Sequence, residues 1–230
     1  MNFTLLLLCS VILLCLATNA RAADLTAAEC SQYYVQDAID RAGNGDTVHV
    51  PASACTWDEQ VRIPNTKGIT LQGAGNDRTI INSRIPSDNT LLIVVAPGNA
   101  VTRVTGLKFA ATAKAGGFAE ISVCDKGTSC DGVDSFRIDH ITINNLQGTH
   151  GSRGIMIYQS CNDTTGLIDH VTINAISGTP QGIAIKGCAP TLGTPFDRPL
   201  SLGTNHAVYV EDSILNWTPT ADSGYDAYSG

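Results

Sequence analysis

Ile138-Asp139-His140-Ile141-Thr142-Ile143-Asn144 returns almost letter for letter as Ile168-Asp169-His170-Val171-Thr172-Ile173-Asn174, thirty residues later. A fainter third copy is Val210-Glu211-Asp212-Ser213-Ile214-Leu215-Asn216. A segment repeating at that period, in a chain with few helical patterns, indicates coils stacked on one another. Each copy alternates apolar and polar residues, so each reads as a strand with one face inward. A second series, Gly154-Ile155-Met156-Ile157 and Gly182-Ile183-Ala184-Ile185, is interleaved with the first at an offset of 28. Two interleaved series mean at least two strands per coil, with consecutive coils paired in parallel about 4.8 Å apart. Ile138, Ile141 and Ile143 then stack on Ile168, Val171 and Ile173. Asn144, Asn174 and Asn216 fall at one turn of successive coils, where amides can pass hydrogen bonds along the stack.

Upstream the pattern is different. Thr26-Ala27-Ala28-Glu29 has capping-box form, and Tyr34, Val35, Ala38, Ile39 and Ala42 recur at helical spacing before Gly43 and Gly45. This predicts one amphipathic helix over about 27–42, laid across the first coil to close its unpaired edges. A strand at 47–50 follows and stops at Pro51; others are expected at 61–63, 69–71, 79–81, 91–95 and 104–109, with turn residues between them.

The chain has 230 residues, room for one domain behind a leader. Residues 1–22 read as a signal peptide: an apolar run from Leu5 to Leu16, then Ala20-Arg21-Ala22 at a cleavage site. That leaves one domain over 23–230, secreted or extracytoplasmic, with no segment to insert in a membrane. The net charge is −7 and the Lys and Arg residues are scattered, which argues against nucleic acid as a partner. It does not exclude an anionic polysaccharide, because a bound cation can bridge two acidic surfaces. Beyond the leader, Cys30, Cys55, Cys124, Cys130, Cys161 and Cys188 remain. An even set behind a leader indicates disulfides. Sequence order suggests Cys30–Cys55, Cys124–Cys130 and Cys161–Cys188, one of fifteen connectivities. Cys161 and Cys188 each follow a Gly-Ile-x-Ile strand closely, which would put them on neighbouring coils. Zinc is the competing reading, but no CxxC or paired-His spacing supports it.

Val35-Gln-Asp-Ala-Ile39, Gly45-Asp-Thr-Val48, Val50-Pro-Ala52 and Ile69-Thr-Leu-Gln-Gly-Ala-Gly75 together resemble the opening of right-handed parallel β-helix proteins of the pectate lyase-like superfamily. The Ile-Asp-His repeats resemble its coil strands. The resemblance extends from about Val35 to Gly230. It implies an all-β, right-handed parallel β-helix with an N-terminal capping α-helix. It is poor for activity, since one such fold carries lyases, hydrolases, epimerases and adhesins. Ala207 to Ser213 and Gly224 to Gly230 resemble a pectate lyase coil and the start of the next. The resemblance makes Glu211 and Asp226 a calcium-binding pair, and it places the catalytic arginine of such lyases on coils beyond Gly230. The chain is therefore expected to be truncated at its C-terminal end. The alternative is a natural end whose open edge a partner protects.

Asp139, Asp169 and Glu211 align in the three copies and should form a carboxylate ladder with steps of about 5 Å. Such a ladder repels unless a cation or protonation relieves it, and calcium, with six to eight oxygen ligands, would suit it. The plainer reading is solvated turn residues. His140 and His170 follow these acids and Asp212 takes the third place; a His beside an acid can serve as general base, or can simply mark the repeat. His150 and Arg153, in the polar loop 148–154, could touch a sugar or a carboxylate. Asn162-Asp-Thr164 and Asn216-Trp-Thr218 are glycosylation sequons, the second expected to be inaccessible because Asn216 belongs to the ladder. Two functions follow: a polysaccharide-binding or -processing protein, cleaving acidic glycan by resemblance, or a non-catalytic surface or adhesive β-helix.

Overall fold

The computed structural model describes residues 22–85, 89–95, 100–111, 119–124, 135–148, 152–158, 165–178, 180–186, 208–218 and 228–229. Within them every strand pairing is parallel, and three sheets run the length of the molecule. The first has seven strands, Asp24–Thr26, Thr47–Val50, Thr70–Gly73, Thr102–Thr105, Phe136–Asp139, Gly166–Asp169 and Val208–Glu211, in that order. The second has six: Ser53–Trp57, Thr79–Ser83, Lys108–Ala110, Thr142–Gly148, Thr172–Gly178 and Ile214–Trp217. The third also has six: Val61–Ile63, Leu92–Val94, Ala119–Val123, Arg153–Tyr158, Gln181–Lys186 and Tyr228–Ser229. Each coil gives one strand to each sheet before the chain moves up to the next. This is the expected right-handed parallel β-helix.

Register fixes the interior. In the first sheet Val48, Leu71, Val104, Ile138, Ile168 and Val210 are successive Cα partners. Ile81, Phe109, Ile143, Ile173 and Leu215 form the matching column of the second sheet. Leu92, Ile121, Ile155 and Ile183 form that of the third. All but Val210 and Leu215, on the outermost described coil, are fully buried. Like sits on like because a coil that buries an apolar residue at one position leaves the same place apolar for the next coil. The amide ladder forms as expected: Asn174 Nδ2 donates to Asn144 Oδ1 at 2.7 Å, and Asn216 Nδ2 donates to Asn174 Oδ1 at 2.8 Å. Asn216 itself is exposed, against the expectation that the ladder would hide it; only its amide is engaged.

Several expectations are corrected. The seven-residue repeat is two strands around a corner, not one strand, because His140 and His170 lie at φ 52° and 50°. The expected strand over 104–109 likewise splits at Gly106, with φ 68°. The strand Thr47–Val50 stops at Pro51 as expected, and Ser53–Trp57 is a further strand that was not. The helix, α1, spans Gln32–Arg41, and Thr26 ends a strand instead of capping it. Ser31 stands at its N-cap without a side-chain hydrogen bond. The pairing of Leu25 with Val48 draws residues before Cys30 into the first sheet.

The end of the stack is closed twice. Strand Asp24–Thr26 covers the first sheet. Helix α1 buries Val35, Ala38 and Ile39 against the first coil, and its Gln36 side chain satisfies an edge of the third sheet. Gln36 Oε1 accepts from Arg62 N at 2.8 Å, and Gln36 Nε2 donates to Arg62 O at 3.1 Å. One side chain thus replaces the missing neighbour strand. Lys67 Nζ donates to the carbonyls of Ile39, Asp40 and Ala42, the unpaired C-terminal end of α1. The disulfide Cys30–Cys55 ties the cap to the second sheet, and Trp57 Nε1 donates to Cys30 O at 2.8 Å. Cys124 is also disulfide-bonded. Cys130, Cys161 and Cys188 lie outside the described residues, as do residues 1–21 of the expected leader.

Asn174 makes two ladder bonds and Asn216 one. N174A should therefore lower stability in urea unfolding by about 1–2 kcal/mol and N216A by less, at about 1 kcal/mol per net hydrogen bond. The reverse order would contradict the ladder.

Candidate functional site

The corner between the first and second sheets brings together Arg103, Arg137, Asp139, His140, Asp169 and His170. Four successive coils turn there through a left-handed residue: Gly106, then His140, His170 and Asp212, the last at φ 41°. Glycine takes this conformation freely; Asn, Asp and His tolerate it better than other residues do. The two histidines and the aspartate are thus placed first of all by backbone geometry.

The acids precede them in register. Thr105, Asp139, Asp169 and Glu211 are successive Cα partners, as the repeat implied. Two residues earlier, on the same side of the strand, Arg103 and Arg137 stand in register, followed by Leu167 and Tyr209. Each arginine reaches the acid of the next coil. Arg103 Nε and Nη2 donate to Asp139 Oδ2 and Oδ1 at 2.7 and 2.8 Å, a bidentate pair. Arg137 Nη2 donates to Asp169 Oδ2 at 3.0 Å, while its Nε lies 2.6 Å from Asp139 Oδ2. Thr105 Oγ1 also donates to Asp139, which is fully buried. The cation expected to relieve the ladder is therefore supplied by guanidinium groups at Asp139 and Asp169. Burial alone would raise the Asp139 pKa, but hydrogen bonds from Arg103, Thr105 and His140 outweigh it and hold the carboxyl well below the usual range. The same pair, through its hydrogen bond, raises Arg103.

Each histidine is tethered to its neighbouring acid. His140 Nδ1 lies 2.9 Å from Asp139 Oδ1, and His170 Nδ1 bonds Asp169 Oδ1 in the same way. The two rings stack with centroids 5.0 Å apart and 1° between planes. A carboxylate at Nδ1 assigns the proton there and leaves Nε2 as an acceptor. The surroundings differ. His140 borders a shallow cleft with Gln72, Gly75, Asn76, Thr105 and Gly106; among the described residues His170 does not line it.

Beyond Asp169 the arginine column is replaced by Leu167 and Tyr209. Glu211 and Asp212 are exposed, and among the described residues Glu211 has no ion-pair partner. Asp169, His170 and Asp212 offer ligand atoms within 4.8 Å of one another, but Asp169 is already paired with Arg137 and His170. Asp226 lies outside the described residues, so the Glu211–Asp226 pair is not brought together or apart by them. His150 also lies outside. Arg153 is on the third sheet, where its Nε donates to Gln181 Oε1 at 2.8 Å.

Sequence reasoning missed Arg103, Arg137 and Thr105. A signal existed in Arg137-Ile138-Asp139: residues i and i+2 of a strand share a face, so the arginine was already beside the ladder. Comparison with protein-family models, with curated proteins and with solved structures returns no match.

D139N should destabilise the fold by about 1–3 kcal/mol, since it takes the bidentate carboxylate from the part-exposed Arg103, while Arg137 keeps Asp169. Because the native carboxyl has the lower pKa, its contribution is complete above the unfolded aspartate value of about 4 and fades as pH falls below it. Wild type should therefore lose stability in that acid window and D139N should lose less of it. Parallel acid unfolding curves for the two proteins would contradict the network.

Proposed function

We propose that this chain is an extracytoplasmic parallel β-helix that binds polysaccharide on its outer face, at the cleft beside the corner of the first and second sheets. The observation that carries this reading is the cleft lined by Gln72, Asn76, Thr105 and His140, polar side chains held by rigid strands and tight turns. Amides, a hydroxyl and an imidazole are the hydrogen-bonding groups that suit sugar hydroxyls. A solenoid also offers a linear polymer an extended surface, repeated at each coil. The disulfide Cys30–Cys55 fits an oxidising compartment, and no helix among the described residues is long and apolar enough to cross a membrane.

The resemblance to pectate lyase-like proteins supports a finer reading, cleavage of acidic glycan with calcium. Glu211 supports it in part, because the acid column outruns the arginine column there and an exposed carboxylate is a suitable calcium ligand. Asp226 would complete the pair. The adhesive, non-catalytic alternative is favoured by a different observation: both Asp139 oxygens are occupied by Arg103, Arg137, Thr105 and His140, as in a structural network.

Affinity electrophoresis in gels cast with polygalacturonate and, separately, with a neutral glucan should retard the protein in at least one; unretarded migration in both would overturn the binding reading. Incubation with polygalacturonate, following absorbance of unsaturated products, separates cleavage from binding. Calcium should raise the thermal midpoint and chelator should lower it if Glu211 and Asp226 bind the ion, and E211Q should abolish the difference. An unchanged midpoint removes the metal.

A further inference from the structure

We propose that His140, oriented by Asp139, is a general base for hydrolysis of an ester substituent on the bound glycan. This rests on the polysaccharide reading and assigns a reaction to its cleft.

Three observations support it. Asp139 is buried and ionised, held by Arg103 and Arg137, and it fixes His140 through Nδ1. That leaves Nε2 free to accept a proton, and more than half of the His140 side chain is exposed (57%). The cleft beside it carries amide donors: Gln72 is exposed, and Asn76 spends one of its two N–H groups on Thr142 Oγ1 at 3.1 Å, keeping the other. These can stabilise the oxygen that becomes negative when an acyl carbon is attacked.

The step balances without a further reactant. Nε2 takes a proton from water as the water oxygen bonds to the acyl carbon. The tetrahedral intermediate then breaks its bond to the sugar oxygen, which takes the proton back from Nε2. A carboxylic acid and a free sugar hydroxyl leave, and the imidazole is neutral again.

The repeat supplies an internal control. His170 has the same left-handed backbone, the same bond to its own aspartate and the same stacking partner, but does not line the cleft. Asparagine tolerates that backbone, so H140N and H170N should unfold alike. Hydrolysis of p-nitrophenyl acetate and of O-acetylated polygalacturonate should fall about 100-fold or more in H140N and only a few-fold at most in H170N. Equal loss in the two, or no loss in H140N, overturns the proposal. Wild type gives a second reading that does not depend on either variant folding. Its rate should fall as pH is lowered while the protein is still folded, above the acid window of Asp139, in a cluster that also holds Arg103, Arg137, Asp169 and His170; a rate independent of pH over that range overturns the base. Glycan retardation without hydrolysis rejects the base and keeps the polysaccharide reading, whereas loss of both rejects both.

Discussion

Parallel pairing in register is the constraint from which the rest follows. It sets each residue directly over the residue at the same place one coil below, about 4.8 Å away. For Ile138 on Ile168, or Asn174 on Asn144, that is favourable, since apolar surfaces merge and amides hydrogen-bond head to tail. For acids it is unfavourable, because Asp139 and Asp169 would face each other. The chain resolves the conflict within the same geometry. A second column, Arg103 and Arg137, stands two residues back on the same side and leans forward by one coil. Opposite charges alternate along a diagonal, although each column taken alone is of one sign.

The corner shows how a backbone requirement selects residues that carry chemistry. A one-residue left-handed turn narrows the useful side chains to Gly, Asn, Asp and His. Gly106 meets the need and nothing more. His140 meets it and, with Asp139 bonded at Nδ1, also presents a ring nitrogen to a polar cleft. His170 has the same local structure but, among the described residues, does not border that cleft. The difference between an architectural imidazole and a reactive one therefore lies in what the coils below place beside it, Thr105 and Gly106 from the next coil and Gln72 to Asn76 from the one beyond.

The sequence disclosed those features that depend on repetition. The thirty-residue offset predicted which residues would stack, and Ile138–Ile168, Asp139–Asp169 and the three asparagines do so. Cys30–Cys55 was legible from cysteine order. Features that depend on a single residue's torsion were not. Nothing in the alternation of Ile-Asp-His-Ile distinguishes a straight strand from a bend, so the first- and second-sheet strands on either side of the corner read as one, while the third-sheet strands stand apart as the Gly-Ile-x-Ile series. Arg137 went unnoticed because it repeats in Arg103 but not in Leu167, and the eye follows the longest column. The helix start moved from 27 to Gln32 because tertiary pairing of Leu25 with Val48 overrode a local capping signal. The cleft joins Gln72 to His140 across sixty-eight residues, and no motif spacing encodes such a contact.

The forward lean of the arginines has a consequence for biosynthesis. Arg103 precedes Asp139, and Arg137 precedes Asp169, so a nascent chain leaving the ribosome exposes the guanidinium before the carboxylate that will occupy it. The coils of Asp139 and Asp169 thus each meet a hydrogen-bonding template and a positive charge already supplied by the coil before them. Were the coils seated from the far end instead, Asp139 would have Arg137 of its own strand beside it but not yet the bidentate pair from Arg103.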